Sequence, residues 1–377
     1  MRARIRWGLL GGGPGSLIGS VHRIAASMAG DYQLMGGVFS SGSATTQRAA
    51  QQWDLNEDRA YPSLDELIRA ELARATHERM QVITIATPNH LHFDMARRLI
   101  ECGFHLVCEK PITTTAEQAR ELARLLQSRR QVFAVAHTYT GYPMVRQMRE
   151  MIAQNAIGPV QKIDVQYYQG WINPIIHDPS QWPKVWRLDP KLAGPSCCIG
   201  DIGVHAFNLV EYTTGLTVDR VLSDLDGLHP DNVLDVDATV LLRMSNGVRG
   251  VLRASQIATG EENRLHIAVY GRSGGLKWLQ EEPNRLEWLR EDQPIAVLKP
   301  GHAYDAPAAQ AASKLPPGHP EGFIDAMGNL YRGVARAVRG EAVAAGDYPG
   351  IEDGVRGMCF LEAVLQSSRE ANRWVLL

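Results

Sequence analysis

A lysine next to a proline is the first group in the sequence that could do chemistry. Lys110 follows an apolar run, including Leu106 and Val107, that is typical of a short buried strand, and it precedes a segment typical of a helix start. Ligands of open α/β sheets bind at the carboxyl ends of strands. Pro111 fixes its own φ and biases Lys110 away from helical conformations, which would give the ammonium group a set direction. A surface lysine in a loop is the alternative for this dipeptide alone.

An aspartate and a histidine form the second candidate. Asp201 and His205 are four residues apart before a helical pattern, so on an α-helix they would share one face. Histidine exchanges a proton near neutral pH, and aspartate can orient it. With a lysine that steadies an alkoxide, this pair suits alcohol oxidation, in which hydride leaves carbon and a proton leaves oxygen. A helix N-cap and a histidine packed on its own helix are the alternative.

The cysteines do not indicate a metal centre. Cys197 and Cys198 precede Asp201 and His205, but adjacent cysteine side chains point apart, and no second cluster gives a spacing typical of zinc. We therefore predict no metal. The chain has five cysteines, an odd number, and no C-x-x-C motif. This pattern favours buried thiols in a reducing cytoplasm.

A glycine-rich turn near the start predicts a phosphate site. Residues 5–10 have the pattern of a strand, and residues 20–28 have that of a helix. The segment between them contains Gly11, Gly13 and Ile18, and glycines there would let backbone N–H groups approach a pyrophosphate. The spacing fits G-x-G-x-x-G only if about three residues, 14–16, are inserted. A purely structural glycine turn is the alternative.

The second predicted strand, residues 32–39, ends at Ser40 and Ser41. A site specific for NAD usually has an acidic residue there to bind the ribose 2′-hydroxyl. The serines leave both NAD and NADP open, with Arg48 as a distant candidate for contacting a 2′-phosphate.

Strand and helix patterns alternate up to about residue 140, which predicts parallel βαβ units with Thr87, Asn89, His92 and Lys110 at the carboxyl edge of their sheet. Later segments alternate as neighbouring strands do in antiparallel sheets. The predicted strands there are 161–168, 236–244, 248–256, 264–270, 275–279 and 285–289. The fold class is therefore α/β: a Rossmann doubly wound parallel sheet in residues 1–140 and an α/β domain with a large, mostly antiparallel sheet in residues 141–377. The last helices are expected to pack back on the first domain.

Composition narrows the class of partner. The chain has 377 residues and a formal charge of −2, so no broad basic surface for nucleic acid or anionic membrane is implied. No apolar run approaches the roughly 20 residues that a membrane helix needs. We predict a cytoplasmic protein.

Four motifs together resemble the glucose–fructose oxidoreductase, inositol dehydrogenase and rhizopine catabolism (Gfo/Idh/MocA) family. They are Glu109-Lys110-Pro111, residues 87–92 (TPNHLH), residues 158–160 (GPV) and residues 200–205 (GDIGVH). The resemblance covers essentially the whole chain. It implies NAD(P)-linked oxidation or reduction of sugars, inositols or their derivatives by a homodimer or homotetramer. Residues 318–322 (GHPEG) and 348–351 (YPGI) resemble a subgroup with levoglucosan- and apiose-type sugar dehydrogenases.

The resemblance also assigns roles to residues. Lys110 would bridge substrate and cofactor, Asp201 would support substrate binding, and His205 would be the general acid/base. The dinucleotide would be surrounded by Gly11, Gly13, Ile18, Ser40, Ser41, Thr87, Asn89, His92, Glu109, Trp186 and Arg187. Residues 137–143 (HTYTGYP) lack the arginine that many members carry there, so His137 or Tyr139 would face a neutral sugar. Two alternatives remain: a non-catalytic dinucleotide-binding sensor, and an enzyme that retains NAD and uses a transient redox step.

Overall fold

Apolar, β-branched runs in the first third of the chain form a five-stranded parallel sheet. The computed structural model describes residues 2–377. The strands are β1 (Ile5–Gly11), β2 (Tyr32–Val38), β3 (Val82–Ala86), β4 (His105–Cys108) and β5 (Phe133–Val135). They are ordered β2-β1-β3-β4-β5, and every neighbouring pair is parallel. All five residues of β3 are buried, as expected for a central strand covered on both faces.

Helices follow each of the first four strands. They are α1 (Leu17–Ala29), α2 (Ser43–Gln52), α3 (Leu64–Ala73), α4 (His92–Glu101) and α5 (Ala116–Gln127). Helix α1 begins earlier than its apolar pattern predicts, because the Ser16 side chain caps it by accepting the N–H of Gly19. The alternation of strands and helices confirms the Rossmann prediction.

The strand order creates a crevice at one edge of this sheet. The chain passes from β1 to β2 on one side and then returns to β3 on the other side of β1. The carboxyl ends of β1 and β3 are therefore neighbours, with Gly11 paired with Ala86. Ligands of open α/β sheets bind at such a reversal of strand order.

A second sheet contains nine strands. They are β6 (Val160–Tyr168), β7 (Val218–Asp226), β8 (Asp237–Met244), β9 (Arg249–Ser255), β10 (Arg264–Gly271), β11 (Gly275–Leu279), β12 (Leu286–Leu289), β13 (Ala296–Leu298) and β14 (Val375–Leu376). Their order is β13-β12-β11-β10-β6-β9-β8-β7-β14, and only the β6–β9 pair is parallel. The prediction of a large, mostly antiparallel sheet is confirmed, although β7, β13 and β14 were not predicted.

The remaining helices are α6 (Pro143–Ala153), α7 (Asn173–Ile176), α8 (Pro190–Ala193), α9 (Val204–Thr214), α10 (Pro307–Ala312), α11 (Phe323–Val338) and α12 (Ile351–Arg369). Helix α9 is mostly buried and contacts β6, β9 and β10 of the second sheet. Its Phe207 ring stacks on Phe360 of α12 with ring centroids 4.4 Å apart. His205 is therefore carried on a rigid, packed element.

The chain divides into two units. The first contains the residues up to Thr113, Glu117–Thr138 and Met327–Val355, and the second contains Thr114–Ala116, Tyr139–Ala326 and Arg356–Leu377. The parallel sheet belongs to the first unit, and the nine-stranded sheet belongs to the second. Within residues 2–377, no helix has the length and apolar character needed to cross a membrane.

Candidate functional site

The glycine-rich turn after β1 lines a cavity of about 570 Å³ in the first unit, within the usual size range of small-molecule sites. Its wall includes Gly11, Gly13, the N-cap Ser16 and, from the end of β3, Thr87. Helix α1 has no acidic residue in its first turn, so the partial positive charge at its N-terminus is not offset there. The turn therefore offers backbone N–H groups and a helix dipole to an anion such as a pyrophosphate.

Two glycines in this region have no room for a side chain. A Cβ on Gly11, which has φ +74°, would lie 2.4 Å from the carbonyl oxygen of Ala86. A Cβ on Gly19 would lie 2.0 Å from the carbonyl oxygen of Gly12. The insertion at residues 14–16 is thus accommodated while the turn still packs directly on α1, and Ile18 lies half-buried in the first turn of that helix.

Ser40 and Ser41 line the same cavity after β2. The Ser40 hydroxyl accepts the N–H of Gly42 at 3.2 Å, which shapes the turn into α2. Of the described residues that line this cavity, none is an aspartate or glutamate. Arg48 donates to the Thr45 hydroxyl at 3.0 Å, and Thr45 also lines the cavity.

His92 braces two loops of the first unit from within. It is fully buried, with Nδ1 2.8 Å from the carbonyl oxygen of Pro111 and Nε2 2.8 Å from that of Thr87. Burial lowers the pKa of His92, whereas the two carbonyl oxygens act in the opposite direction and favour a charged ring. The neighbouring Asn89 is also buried. His92 thus links the end of β3 to the loop that carries Lys110.

The loop after β4 carries Glu109 and Lys110. The N–H of Glu109 donates to the carbonyl oxygen of Ile85 at 2.9 Å, which ties the loop to β3, and the Lys110–Pro111 peptide is cis. The Glu109 side chain is buried, with Oε1 3.0 Å from Nε2 of His22 and Oε2 accepting the N–H of Lys110 at 3.2 Å. Glu109 thus points inward to α1, whereas Lys110 is half-buried.

His137, after β5, lies in the electrostatic environment of this lysine. Its side chain is buried, and burial together with the positive charge of Lys110 lowers the pKa of His137 to about 3. The ring is therefore neutral at physiological pH. It contributes hydrogen-bonding atoms without a charge.

In the second unit, Asp201 is held by side chains from two elements. Its Oδ2 accepts from Nε2 of Gln256 at 2.9 Å and lies 3.0 Å from Nε of Arg187. Gln256 is fully buried, and its Oε1 lies 3.3 Å from the Cys197 sulfur, which fixes the amide with its nitrogen toward Asp201. The carboxylate of Asp201 therefore has a fixed position.

A buried aspartate anchors the segment that carries Asp201. Asp235 accepts the N–H of Cys197 at 3.1 Å through Oδ1 and that of Ile199 at 2.7 Å through Oδ2. Burial raises the pKa of Asp235, and these backbone hydrogen bonds counteract part of that rise. The segment is thereby fixed where it enters α9.

The local helix differs from the prediction. Residues Ile199–Gly203 form a π-helical turn, and α9 begins only at Val204. The expectation that Asp201 and His205 would share one face applied to an α-helix, but a π-helical turn separates Asp201 from α9. The extra residue of a π-turn changes the direction of Asp201 relative to ordinary i, i+4 spacing. Such turns are frequent at functional sites.

His205 lies against a group of tyrosines on neighbouring elements of the second unit. Its ring meets that of Tyr139 edge to face, with ring centroids 5.0 Å apart. Tyr167 donates to Oδ1 of Asn263 at 2.7 Å, so in the Tyr139–Tyr167 hydrogen bond the Tyr139 hydroxyl is the donor. Burial raises the pKa of Tyr167 well above its ordinary value. The tyrosines present neutral, oriented hydroxyls and hold one face of His205.

Trp186 and Arg187 lie on a short 3₁₀ turn in the second unit. The Arg187 guanidinium carbon lies 4.5 Å from the centre of the Trp186 ring, and Trp186 packs against a buried apolar cluster that includes Leu188 and Val236. The described contacts thus tie this pair to Asp201 and to the core of its own unit. Within residues 2–377, no three His, Cys, Asp or Glu side chains form a group that could hold a metal ion.

Sequence reasoning missed several residues that hold the reactive groups. His22 lies in α1 and Tyr167 in β6, whereas Asp235, Gln256 and Asn263 lie in loops that adjoin strands of the second sheet. One signal was present for His22, because it is a polar side chain among the buried Val21, Ala25 and Ala26 of α1. Such a residue must find a partner inside the protein.

Comparison with known proteins identifies the family. Residues 5–137 match the family model "Oxidoreductase family, NAD-binding Rossmann fold", and residues 145–277 match "GFO/IDH/MocA C-terminal domain". An inositol dehydrogenase homolog from Azotobacter vinelandii, solved with NAD+, is 30% identical over 100% of this chain and 98% of its own, with a TM-score of 0.94. A structure of such a homolog from the same organism with NADH and myo-inositol is 29% identical over 100% and 98%, with a TM-score of 0.90.

A curated relative adds a named sugar dehydrogenase. Levoglucosan dehydrogenase from Pseudarthrobacter phenanthrenivorans is 30% identical over 55% of this chain and 57% of its own. The two family models, the crevice at the β1–β3 edge and the glycine turn agree with one another. The chain therefore belongs to the Gfo/Idh/MocA family of NAD-binding oxidoreductases.

Proposed function

We propose that this protein is an NAD(P)-dependent dehydrogenase that oxidises a hydroxyl-bearing carbon of a cyclic sugar, anhydrosugar or inositol, or reduces the matching ketone. The observation that carries the proposal is the position of Lys110. It lies two residues after the end of β4, at the same carboxyl edge of the parallel sheet as the glycine-lined cavity. Support for the substrate class comes from the relatives named for inositol and levoglucosan.

In this proposal the first unit binds the dinucleotide. The glycine turn, the α1 N-terminus and the serine-lined wall suit its phosphates and ribose, as the lack of space for a side chain at Gly11 indicates. When bound, the nicotinamide accepts or delivers the hydride. Lys110 donates a hydrogen bond to the substrate oxygen and stabilises its negative charge as the proton leaves. Residues such as Ile18, Asn89 and Trp186 remain proposed contacts.

The second unit supplies the proton chemistry in this proposal. His205 takes the proton of the substrate hydroxyl during oxidation and returns it during reduction, because imidazole exchanges protons near neutral pH. Asp201 accepts a hydrogen bond from a second substrate hydroxyl, in the direction fixed by Gln256 and Arg187. The edge-to-face contact with Tyr139 keeps the His205 ring oriented.

We infer that the substrate is uncharged. Residues 137–143 supply no arginine for an anionic substrate, and His137 is neutral at physiological pH because its pKa is lowered to about 3. The hydroxyls of Tyr139 and Tyr167 are likewise neutral hydrogen-bonding groups. A polyhydroxylated ring offers the matching donors and acceptors.

The cofactor proposed is NAD or NADP, and the preference between them is left to experiment. Ser40 and Ser41 can bind a ribose hydroxyl, and no acidic residue among the described cavity residues would repel a 2′-phosphate.

We also propose that the protein is cytoplasmic and forms a homodimer or homotetramer. The subunits would be joined through the nine-stranded sheet, because Leu241 of β8 and Trp374 near β14 are exposed apolar side chains. Sedimentation equilibrium measures the number of chains directly, and a monomer at micromolar concentration would contradict the oligomer.

Absorbance at 340 nm tests the reaction. Purified protein is mixed with NAD or NADP and a panel of pyranoses, anhydrosugars, pentoses and inositols. Reduction with one cofactor and a few related polyols is expected. If no polyol gives a signal although the dinucleotide binds, the proposal fails, and a sensor becomes the better account. Dinucleotide that stays bound through purification, with no net NADH, would instead indicate a transient redox step.

A further inference from the structure

A chain of five hydrogen-bonding side chains runs through the interior of the first unit and ends beside Lys110. Nε1 of Trp7 donates to Oγ1 of Thr84 at 2.9 Å, and that oxygen lies 2.8 Å from the Tyr331 hydroxyl. The Tyr331 hydroxyl lies 2.8 Å from Nδ1 of His22, whose Nε2 lies 3.0 Å from Oε1 of Glu109. None of the five residues is more than 7% exposed. The reaction proposed above does not explain these contacts.

With His22 uncharged, every donor among these five side chains is satisfied only if all of their hydrogen bonds are donated in the direction from Trp7 toward Glu109. An indole N–H can only donate, so Thr84 accepts from Trp7 and its own hydroxyl hydrogen must point to Tyr331. Tyr331 then donates to Nδ1 of His22, which leaves Nε2 protonated and donating to the carboxylate of Glu109. The opposite direction would leave the Thr84 hydroxyl hydrogen without an acceptor among these groups, a costly arrangement in a buried site.

Glu109, at the end of this series of hydrogen bonds, holds the main chain at Lys110. Oε2 of Glu109 accepts the N–H of Lys110, while Oε1 is held by His22. Burial raises the pKa of Glu109, but the hydrogen bond from His22, the charge of Lys110 and the hydrogen bond from the Lys110 N–H outweigh it, and the pKa lies below the ordinary value. An ionised carboxylate is thus fixed inside the protein, next to the ammonium-bearing residue.

We propose that His22 is a positioning residue for Lys110: it holds the Glu109 carboxylate in place, and this carboxylate fixes the main chain at the lysine. The reactive importance of the arrangement rests on the proposed function, in which Lys110 binds the substrate oxygen. The arrangement itself can be measured without any substrate. The titratable groups around it are Glu109, Lys110, Tyr331, Tyr32 of β2, His92 of α4, Cys108 of β4 and His137 after β5.

The test measures how fast Lys110 is acetylated by an N-hydroxysuccinimide ester at pH 7.5 in the full-length protein, read by peptide mass spectrometry. Lys110 is half-buried, so release of the loop that carries it exposes its side chain to the reagent and speeds the reaction. We expect Glu109→Gln and His22→Leu to raise the rate at Lys110 several-fold, because the loop then opens more often. His22→Gln, which keeps an N–H in nearly the place of Nε2, should restore a rate near that of the unmodified protein. Lys162 and Lys299, both exposed, are internal controls whose rates should not change.

A purely structural role would give a different pattern. It would lower the melting temperature and change labelling at all three lysines, without rescue by glutamine. If His22→Leu does not fold, Tyr331→Phe and Glu109→Gln carry the test, and Tyr331→Phe should give an intermediate rate. Unchanged labelling of Lys110 in folded Glu109→Gln and His22→Leu would overturn the inference, even if Lys110→Ala abolished turnover. Faster labelling combined with full activity of Lys110→Ala would instead sink the proposed function and leave this arrangement standing.

Discussion

Lys110 is held by the main chain and by buried groups around it, whereas Asp201 and His205 are held by side chains that meet near the end of a helix. In the first unit, the loop is tied to β3 through Glu109, to the end of β3 through His92, and to α1 through His22. In the second unit, Gln256 and Arg187 hold the carboxylate of Asp201.

This difference between the units predicts which property a substitution in each unit should change. The same dinucleotide would serve every substrate, so its binding site does not need to vary. The first unit is fixed by backbone contacts that leave no room even for a Cβ at Gly11 and Gly19. Side-chain contacts can change one at a time, so under the proposed function the second unit is the part that can be retuned for another polyol. Apart from Lys110 itself, changes in the first unit should therefore alter dinucleotide binding or stability, and changes in the second should alter substrate selection.

Lys110→Ala should give the largest effect. Removing a donor that stabilises developing negative charge costs about 10²–10³-fold in kcat, while the dinucleotide should still bind within a few-fold. Steady-state kinetics with the best polyol and fluorescence titration with NADH measure the two quantities. Lys162→Ala, on an exposed position of β6, is the control. Normal turnover by the Lys110 variant would remove the lysine from the mechanism.

Gly19→Ala tests the first unit, in which backbone contacts fix the glycine turn. A Cβ there would lie 2.0 Å from a backbone oxygen that has little freedom to move, so we expect a loss of about 1–3 kcal/mol in the free energy of unfolding, with weaker dinucleotide binding. Gly357→Ala in α12 is the matched control, since nothing lies within 4 Å of its added Cβ. Urea denaturation compares them. Equal stability of the two variants would show that the turn does not pack on α1 as described.

Gln256→Leu tests the second unit, in which side chains hold Asp201. It removes the amide that donates to Asp201, and we expect KM for the polyol to rise about tenfold, the value of one hydrogen bond to a charged group. Dinucleotide affinity and kcat should change much less. Gln166→Leu, on the same sheet but outside this cluster, is the control. A change confined to NADH affinity would reverse the division of labour between the units.

The smallest expected effect is a pH dependence of stability from His137. Its folded pKa of about 3 is below the unfolded value near 6.5, so only the unfolded chain takes up this proton as the pH falls. The stabilisation is complete above pH 6.5 and is lost progressively as the pH falls toward 3. Between pH 7 and pH 5.5 the loss is about 1 kcal/mol. His137→Asn should remove this portion of the slope in urea titrations, whereas His77→Asn, at an exposed position, should not.

Sequence reasoning reached the fold through periodicity and glycine placement. The β-branched run of β3 and the alternation of β8 and β9 predicted both sheets, because burial alone selects those patterns. Strand β7 was missed because its sequence VDRVLSDLD is rich in charged residues, and β13 and β14 because they have only three and two residues. Such strands are specified by their neighbours in the sheet and not by their own sequences.

The candidate site was predicted less completely. Local motifs indicated Lys110, Asp201 and His205, but the π-helical turn before α9 depends on Asp235, more than thirty residues later in the chain. The His22–Glu109 pair joins residues 87 positions apart. Long-range hydrogen bonds leave no periodic signal in one sequence. The groups that could react were therefore easier to predict than the groups that hold them.

The most direct test of the account follows the hydride itself. Protein, NAD or NADP and the best polyol of the panel, deuterated at its hydroxyl-bearing carbons, are incubated together, and the reduced dinucleotide is weighed by mass spectrometry. The account predicts a product heavier by the mass of one deuterium in place of hydrogen, formed by the unmodified protein and nearly absent with Lys110→Ala. Reduced dinucleotide without the label, or none with any polyol, would contradict the transfer of hydride from a carbinol carbon.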